Sequence, residues 1–590
     1  MNLAERLQGF RSNKNLSREE FASLVGVKPV TVLRWETGTS NPTASDAEKL
    51  EQVGFGTLDK TETKHASIPR LALHKDADVA LREGIRPHIE LAGESRTFDP
   101  APYVVNGPAN QLDFFETLYH LQEHAELPCP EPEYARRLSL VAGVPDLGVT
   151  TAQYALESPK RTAKHWNPNY GTHGWHRYIG RFPPHLVRAL INHFGARRGE
   201  TICDPFAGSG TTLVESRLLG MNTIGIEVCP LSGLISRTKS KFPTSTASLE
   251  KAWAALTQFY NDRWARFVRG RDVTGIPHEE ILGRKGNTIP AFPNYDRWMT
   301  PEALLGSSIV VEFAETLKGY NRDAICCALS ACMRSIGNLD VDVVRAEYSK
   351  VPRKNVDVLR LVQRTLRNMV EDIRQSVVTH GDLMSDAADV RLIENSLLDA
   401  RLPEGSVDHI ITSPPYGVES VSYIRTHLVS YRCLQPILNY DPYLFDEKVI
   451  GSEYVKDTGS TEPTWDAGTH SQTFTRFFKE ELVEDGSKKF IARRNMMVHF
   501  FDDMVKVARQ FHRWLRPGGR LAFVVGNKRL GDSIIPTDAI VGEIFADFGL
   551  RLDRSIGHKL KCNNSNSEVP WQDRIIQDEF AMLFTNTNGG

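Results

Sequence analysis

At 590 residues, with 41% hydrophobic and 24% charged side chains, the chain has the composition of a soluble globular protein and room for roughly two to four domains. Its formal net charge of −2 excludes a global basic field, so a nucleic-acid partner would have to meet local basic groups. The eight cysteines form no CxxC pair and no Cys/His metal spacing, and no run is long enough for a membrane span or a signal-peptide core. The expectation is a cytoplasmic protein with reduced cysteines, no metal and no membrane contact.

Residues 1–56 read as a small all-α unit. Leu3, Leu7 and Phe10 fit one helix. Ser17 caps a second, with Glu20 in capping-box position, and Gly26 turns the chain into a third at Pro29 to Glu36. The run SREEFASLVGVKPVTVLRWETGTSNP resembles the Cro/repressor-like helix-turn-helix family. That resemblance implies duplex DNA as partner, with Lys28, Thr31, Leu33 and Arg34 facing the major groove or its phosphates. Pro29 and Leu33 replace polar readers of that family, and a three-helix protein-interaction module is the alternative. Residues 57–160 read as a linker with an embedded helix at Gln111 to Ala125.

From 161 to the end one α/β domain is expected, interrupted by a helical insert at about 240–380. A loop with Tyr178, Arg181 and Phe182 leads into a helix from Pro184 to Phe194. Next comes the most informative stretch, TICDPFAGSGTTLVESRLLGMNTIGIEVCP from Thr201 to Pro230. It reads as a strand ending at Asp204, a glycine-rich turn, a helix from Thr211, and a strand ending on Glu227. Glycines without Cβ let such a turn approach a ligand, and an acid at the tip of the following strand suits ribose hydroxyls. The dinucleotide fingerprint would need glycine at Leu213, and a phosphate loop would need Gly-Lys-Ser/Thr where Gly-Thr-Thr stands.

DPFAGSGTT resembles motif I of the S-adenosylmethionine-dependent DNA amino-methyltransferases, GIEVCP resembles their motif II, and HRYIGRFPPHLVRALI their motif X. The resemblance implies the class I methyltransferase Rossmann-like sheet. It also implies S-adenosylmethionine as cofactor, cradled by Asp204, Pro205, Phe206, Ala207, Gly208, Ser209, Gly210, Thr211 and Thr212. Glu227 and Val228 would lie at the ribose. Tyr178, Arg181 and Phe182 would close over the methionine end.

In the insert, Trp253, Phe259, Trp264 and Phe267 are spaced as helix core, followed by helices at Asp323 to Ile336 and Val356 to Ile373. Basic residues gather at Arg345, Lys350, Arg353 and Lys354, so the insert could read the target or merely support the sheet. Val390 to Ile393 read as a strand, after which Asn395 or Ser396 would bond the adenine where relatives carry an acid.

A second anchor follows. SVDHIIT is a buried strand that ends in Ser413-Pro414-Pro415-Tyr416, where two prolines stop the strand and fix φ. SPPY resembles motif IV of the same family. By that resemblance the Ser413 hydroxyl and the Pro414 carbonyl accept hydrogen bonds from the amino group of a flipped base, and Tyr416 stacks on it. Tyr423, Arg425 and Tyr431 on the next helix would line the base pocket. Gly451 to Thr475 read as a polar loop, Met497 to Trp514 as an amphipathic helix and 515–527 as turn and strand. Ala539 to Phe548 form a helix, and Glu579 to Thr585 a closing strand.

No cysteine stands in SPPY, which argues against attack at ring carbon 5 of cytosine. Serine at the first position is commoner in the N4-cytosine branch of the family. The reading is a site-specific DNA methyltransferase acting on cytosine N4, accompanied by a cognate restriction enzyme or defence proteins. The alternatives are an adenine-N6 enzyme, a transcription regulator with secondary methyltransferase activity, or an enzyme acting on RNA or protein.

Overall fold

A computed structural model of the chain describes residues 3–14, 16–27, 32, 35–36, 49–55, 89–91, 103–105, 169, 171–178, 180–340, 343, 346–384, 389–416, 423–439, 449–451, 466–484, 486–559 and 576–587. The chain packs as two units, 1–86 with 123–167, and 87–122 with 168–590.

In the first unit, helices Leu3–Asn13 and Arg18–Val25 pack Leu7, Phe21, Ala22 and Val25 against Val32, Trp35 and Leu50. Ser17 and Glu20 form the expected reciprocal cap, and Gly26 ends the second helix at φ 69°. Glu36 is buried beneath this helix pair, 2.5 Å from Arg11 Nε and 2.7 Å from Arg18 Nε. Lys28, Thr31, Leu33 and Arg34 lie outside the described residues, as does the helix expected at Gln111 to Ala125.

The second unit contains a short antiparallel hairpin, β1 (Ile89–Leu91) with β2 (Tyr103–Val105), in a region whose prolines and polar patches had suggested only a linker with a helix. Its centre is an eight-stranded sheet. β3 (Thr201–Asp204), β4 (Asn222–Ile226), β5 (Val390–Ile393), β6 (Val407–Thr412) and β7 (Leu515–Leu530) run parallel in the order β5-β4-β3-β6-β7. The two-residue β8 (Ser533–Ile534) pairs with the end of β7. β9 (Leu550–Lys559) and β10 (Ile576–Asn586) complete the sheet antiparallel, with β10 inserted between β7 and β9. This is the expected Rossmann-like sheet. β9 was not foreseen: LRLDRSIGHK mixes charged and apolar residues, and it pairs only along β10, at the edge of the sheet.

The expected helices form around this sheet. Thr211–Leu218 buries Leu213, Val214 and Leu218. Lys488–Trp514, longer than expected, packs with Thr537–Asp547 over one apolar layer. The 240–380 insert is a bundle of Ala247–Val268, Pro301–Glu315, Gly319–Ile336 and Val358–Met384. On its first helix the buried line is Leu249, Ala252, Leu256 and Tyr260, whereas Trp253, Phe259, Trp264 and Phe267 flank the core half-buried. The bulky aromatics cap the seam between helices, and smaller side chains fit the close approach. The polar loop expected at 451–475 contains helix Asp466–His470 and the start of Gln472–Arg476. Among the described residues no helix is long and apolar enough to cross a membrane, and all six described cysteines are buried thiols.

Candidate active site

β3 leaves the sheet next to β4 on one side and β6 on the other, so its carboxyl end is a switch point where a crevice opens. The turn after β3 is shaped by its glycines. Gly208 has φ 51° and Gly210 φ 81°, conformations that side-chain-bearing residues rarely adopt. At Gly210 a Cβ would lie 2.5 Å from Ser236 Oγ, so close approach adds to the demand for glycine. The Gly210 amide donates to the Ala207 carbonyl at 2.7 Å, and Ala207 donates to Ile226 at 3.0 Å, tying the turn to β4.

The two acids hold the turn from below. Glu227 accepts from the amides of Gly208 and Cys229, both at 2.7 Å. Asp204 accepts from Thr412 Oγ1 at 2.6 Å and from the Phe206 amide at 3.1 Å, joining β3 to the end of β6. Burial pushes the Glu227 carboxyl up to about 7 and that of Asp204 up to about 6, against hydrogen bonds that favour the charged forms.

An open cleft of about 540 Å³ lies above this turn. It is lined by Tyr178, Pro205, Phe206, Gly208, Glu227, Val228, Asn395, Ser396, Ser413 and Pro415, drawn from stretches more than two hundred residues apart in sequence. Tyr178 is held by a 2.7 Å hydrogen bond to Ser232 Oγ and stacks on His427, with centroids 5.7 Å apart. Asn395 Oδ1 accepts from the Ser396 amide at 2.8 Å.

Other residues singled out by sequence stand behind the cleft. Ala207, Ser209, Thr211 and Thr212 are buried in the turn and helix start, and Pro414 is buried behind Ser413. Arg181 donates to the His173 carbonyl at 2.6 Å and to Asn169 at 2.9 Å, bracing the 3₁₀ turn Gly171–Trp175. Phe182 is buried beside it and does not line the cleft. Tyr431 belongs to the core of the helical insert, Arg425 is exposed, and the Tyr423 side chain lies outside the described residues. In the basic cluster, Arg353 donates to the carbonyls of Gly337 and Arg334, a structural role, and Arg345 lies outside the described residues.

Five lining residues were missed: Ile226, Cys229, Leu397, Val449 and Ile450. In sequence they are ordinary apolar positions. Only Ile226 and Cys229, flanking Glu227 and Val228, could have been inferred from neighbours.

The loop that carries Tyr178 is anchored by a buried triad the motifs do not announce. Glu215 accepts from Arg188 Nε at 2.5 Å and lies 2.6 Å from His173 Nε2, all three fully or nearly fully buried. Burial brings the His173 imidazole down to about 4, despite the carboxylate beside it.

Residues 145–230, which include β3, the glycine turn and β4, match the DNA methylase family model of the N6/N4 type. Residues 8–59 match a helix-turn-helix family model. The Type II methyltransferase M.BsoBI of Geobacillus stearothermophilus is 24% identical over 452 residues, covering 69% of this chain and 84% of that protein. M.MvaI of Kocuria varians is 24% identical over 397 residues, 64% of this chain and 82% of that one. M.MjaII of Methanocaldococcus jannaschii is 42% identical over 87 residues, 15% of either chain. The chain thus carries a DNA methylase match at 145–230 behind a helix-turn-helix match at 8–59, and the two of these relatives that align along most of it are Type II methyltransferases.

Proposed function

We propose that the chain methylates the exocyclic amino group of a base flipped out of duplex DNA, cytosine N4 in the first place, using S-adenosylmethionine. The observation that carries this reading is that one cleft is lined both by the glycine turn with Glu227 and by Ser413 and Pro415 of the SPPY segment. A donor and an acceptor bound there would be neighbours, and proximity with orientation is most of what amino methylation requires.

The residues present suit the cofactor. Gly208 is open to a close approach, Glu227 offers a carboxyl for ribose hydroxyls, and Asn395 or Ser396 for the adenine. Ser209 Oγ is buried with no partner among the described residues. When bound, S-adenosylmethionine supplies an electrophilic methyl on a sulfonium. The protein's part is to present the amino nitrogen, whose lone pair is delocalised into the ring. Ser413 Oγ and the Pro414 carbonyl, accepting its two N–H bonds, favour a pyramidal nitrogen, and Tyr416 stacks on the extruded base, offsetting part of the few kcal/mol that flipping costs.

The relatives that align along most of the chain are Type II methyltransferases, which supports a restriction–modification setting in the cytoplasm, near the nucleoid, with a cognate restriction enzyme as partner. In this reading the helix-turn-helix residues Lys28, Thr31, Leu33 and Arg34 contact DNA, either delivering the enzyme or regulating its promoter. The decisive experiment is mass spectrometry of nucleosides from DNA treated with wild type and with Ser413→Ala. N4-methylcytosine that vanishes in the variant supports reaction and site. N6-methyladenine keeps the mechanism and moves the base. No modified base refutes DNA as substrate.

A further inference from the structure

The strand that closes the sheet brings an acid to SPPY that no motif contains. β10 runs antiparallel to β7, so its first residues lie at the edge where β6 delivers Ser413. Between Ile576 and Glu579 the register shifts: three steps along β10 answer two along β7, from Lys528 to Gly526. Such a bulge re-aims the side chain that follows it, and bulges gather beside active sites. Here the next residue is Glu579, and its cross-strand partner Gly526 puts no side chain in the way.

Glu579 Oε1 accepts from Tyr416 Oη at 2.6 Å, and Tyr416 Oη accepts from Ser413 Oγ at 3.2 Å. All three side chains are half-buried. The chain of donors therefore runs in one direction, out of the cleft: serine to tyrosine to carboxyl. A serine hydroxyl has one proton and two lone pairs. With its proton committed to Tyr416, Ser413 presents only lone pairs to the cleft.

We infer that Glu579 is a positioning residue that, through the Tyr416 hydroxyl, fixes Ser413 as a hydrogen-bond acceptor toward the substrate amino group. This rests on the proposed role of Ser413. Its physical content is a choice between two arrangements. An ionised carboxyl can only accept, so Tyr416 must donate to it and accept from Ser413. Without that acceptor the phenol is free to donate to Ser413 instead. The serine proton then turns into the cleft and opposes an N–H of the base, two donors face to face. The 3.2 Å link is long for a hydroxyl pair, and such contacts tighten once substrate is in place.

The test uses the full chain, tritium-labelled S-adenosylmethionine and unmethylated, PCR-amplified bacterial genomic DNA under single-turnover conditions. Glu579→Met keeps length and removes the acceptor. Glu579→Gln keeps an amide oxygen that accepts less strongly. The expected order of rates is wild type, then Glu579→Gln, then Glu579→Met, the last slower by roughly tenfold or more, the scale of one misdirected hydrogen bond. Cofactor affinity by calorimetry and the melting midpoint should stay at wild-type values. In a Tyr416→Phe background, Glu579→Met should cost nothing further, because the link it acts through is already gone. The inference is overturned if Glu579→Met is as fast as wild type, if its loss persists in the Tyr416→Phe background, or if its loss is carried by cofactor affinity. Should Glu579→Met fail to fold, the Glu579→Gln and Tyr416→Phe cycle decides by the same criterion. A wild type that leaves the DNA unmethylated, or a Ser413→Ala variant as fast as wild type, brings down the proposed function and this inference with it. Loss in Ser413→Ala without loss in Glu579→Met removes only the role of Glu579.

Discussion

Replacing Gly210 by alanine separates backbone conformation from contact in the turn beneath the cleft. Gly210 caps the helix Thr211–Leu218 at φ 81° and ψ 27°, in the left-handed region. An L-residue there costs about 1–2 kcal/mol. The added Cβ would also stand 2.5 Å from Ser236 Oγ, 3.0 Å from Ser236 Cα and 3.1 Å from Ser236 Cβ. Relief requires the helix Pro230–Ser240 to shift, because one of the three atoms is backbone, and overpacking of this kind costs about 1–3 kcal/mol. The sum is about 2–5 kcal/mol, which at roughly 2 °C per kcal/mol for a large domain lowers the melting midpoint by about 4–10 °C. Calorimetric titration with S-adenosylmethionine should show weaker binding in parallel, because the turn must re-form to bind. A second variant, Gly210→Ala with Ser236→Gly, removes the Oγ and Cβ contacts and leaves the φ strain, so it should recover part of the loss and no more. Wild-type melting and binding in Gly210→Ala would refute the reasoning, and full recovery in the double variant would show that φ is not strained there.

Three further outcomes are expected. Burial puts the Glu227 carboxyl at about 7 and Asp204 at about 6, above their ordinary 4.5 and 3.8. Their contribution to stability is therefore complete below about pH 4 and is lost as pH rises through 6 to 7, while in the proposed role of Glu227 a ribose hydroxyl bonds more strongly to the ionised form. Affinity for S-adenosylmethionine should then rise with pH, by up to about tenfold per unit, and level off above about pH 8; a flat affinity between pH 6 and 8 refutes this. Glu215→Ala strands the fully buried Arg188, and its cost of about 3–5 kcal/mol should appear as a lower unfolding midpoint in urea, whereas a wild-type midpoint would mean that the arginine finds water. Glu36→Ala in the helix-turn-helix unit should cost only about 1–2 kcal/mol, because Arg11 and Arg18 are partly exposed and can be rehydrated; a change in melting of that unit above about 3 kcal/mol would contradict it.

What the sequence determines by itself is whatever local chemistry decides. Gly208 and Gly210 need positive φ, the apolar run of β3 must stop at a charged residue, and two prolines after Ser413 cannot continue a strand. These facts hold wherever the chain is placed, so the strand–turn–helix–strand at 201–230 and the strand ending in SPPY were legible, and with them the sheet. Helix ends were legible less sharply: the last long helix starts at Lys488 instead of near Met497, because its first turns are basic and carry little apolar signal.

Tertiary structure decided which segments meet. β3 and β6 pair across the intervening helical insert, bringing Thr412 onto Asp204, 208 residues away in sequence. Val449 and Ile450 become cleft wall, though as side chains they differ in nothing from core residues. Arg181, expected near the methionine end of a cofactor, also braces His173, because the 3₁₀ turn offers it a carbonyl that no motif encodes. Glu579 reaches Tyr416 only through a bulge in a strand that closes the sheet last. Turn chemistry and side-chain period are properties of neighbours in sequence; a cleft is made by neighbours in space, and strand order alone brings those together.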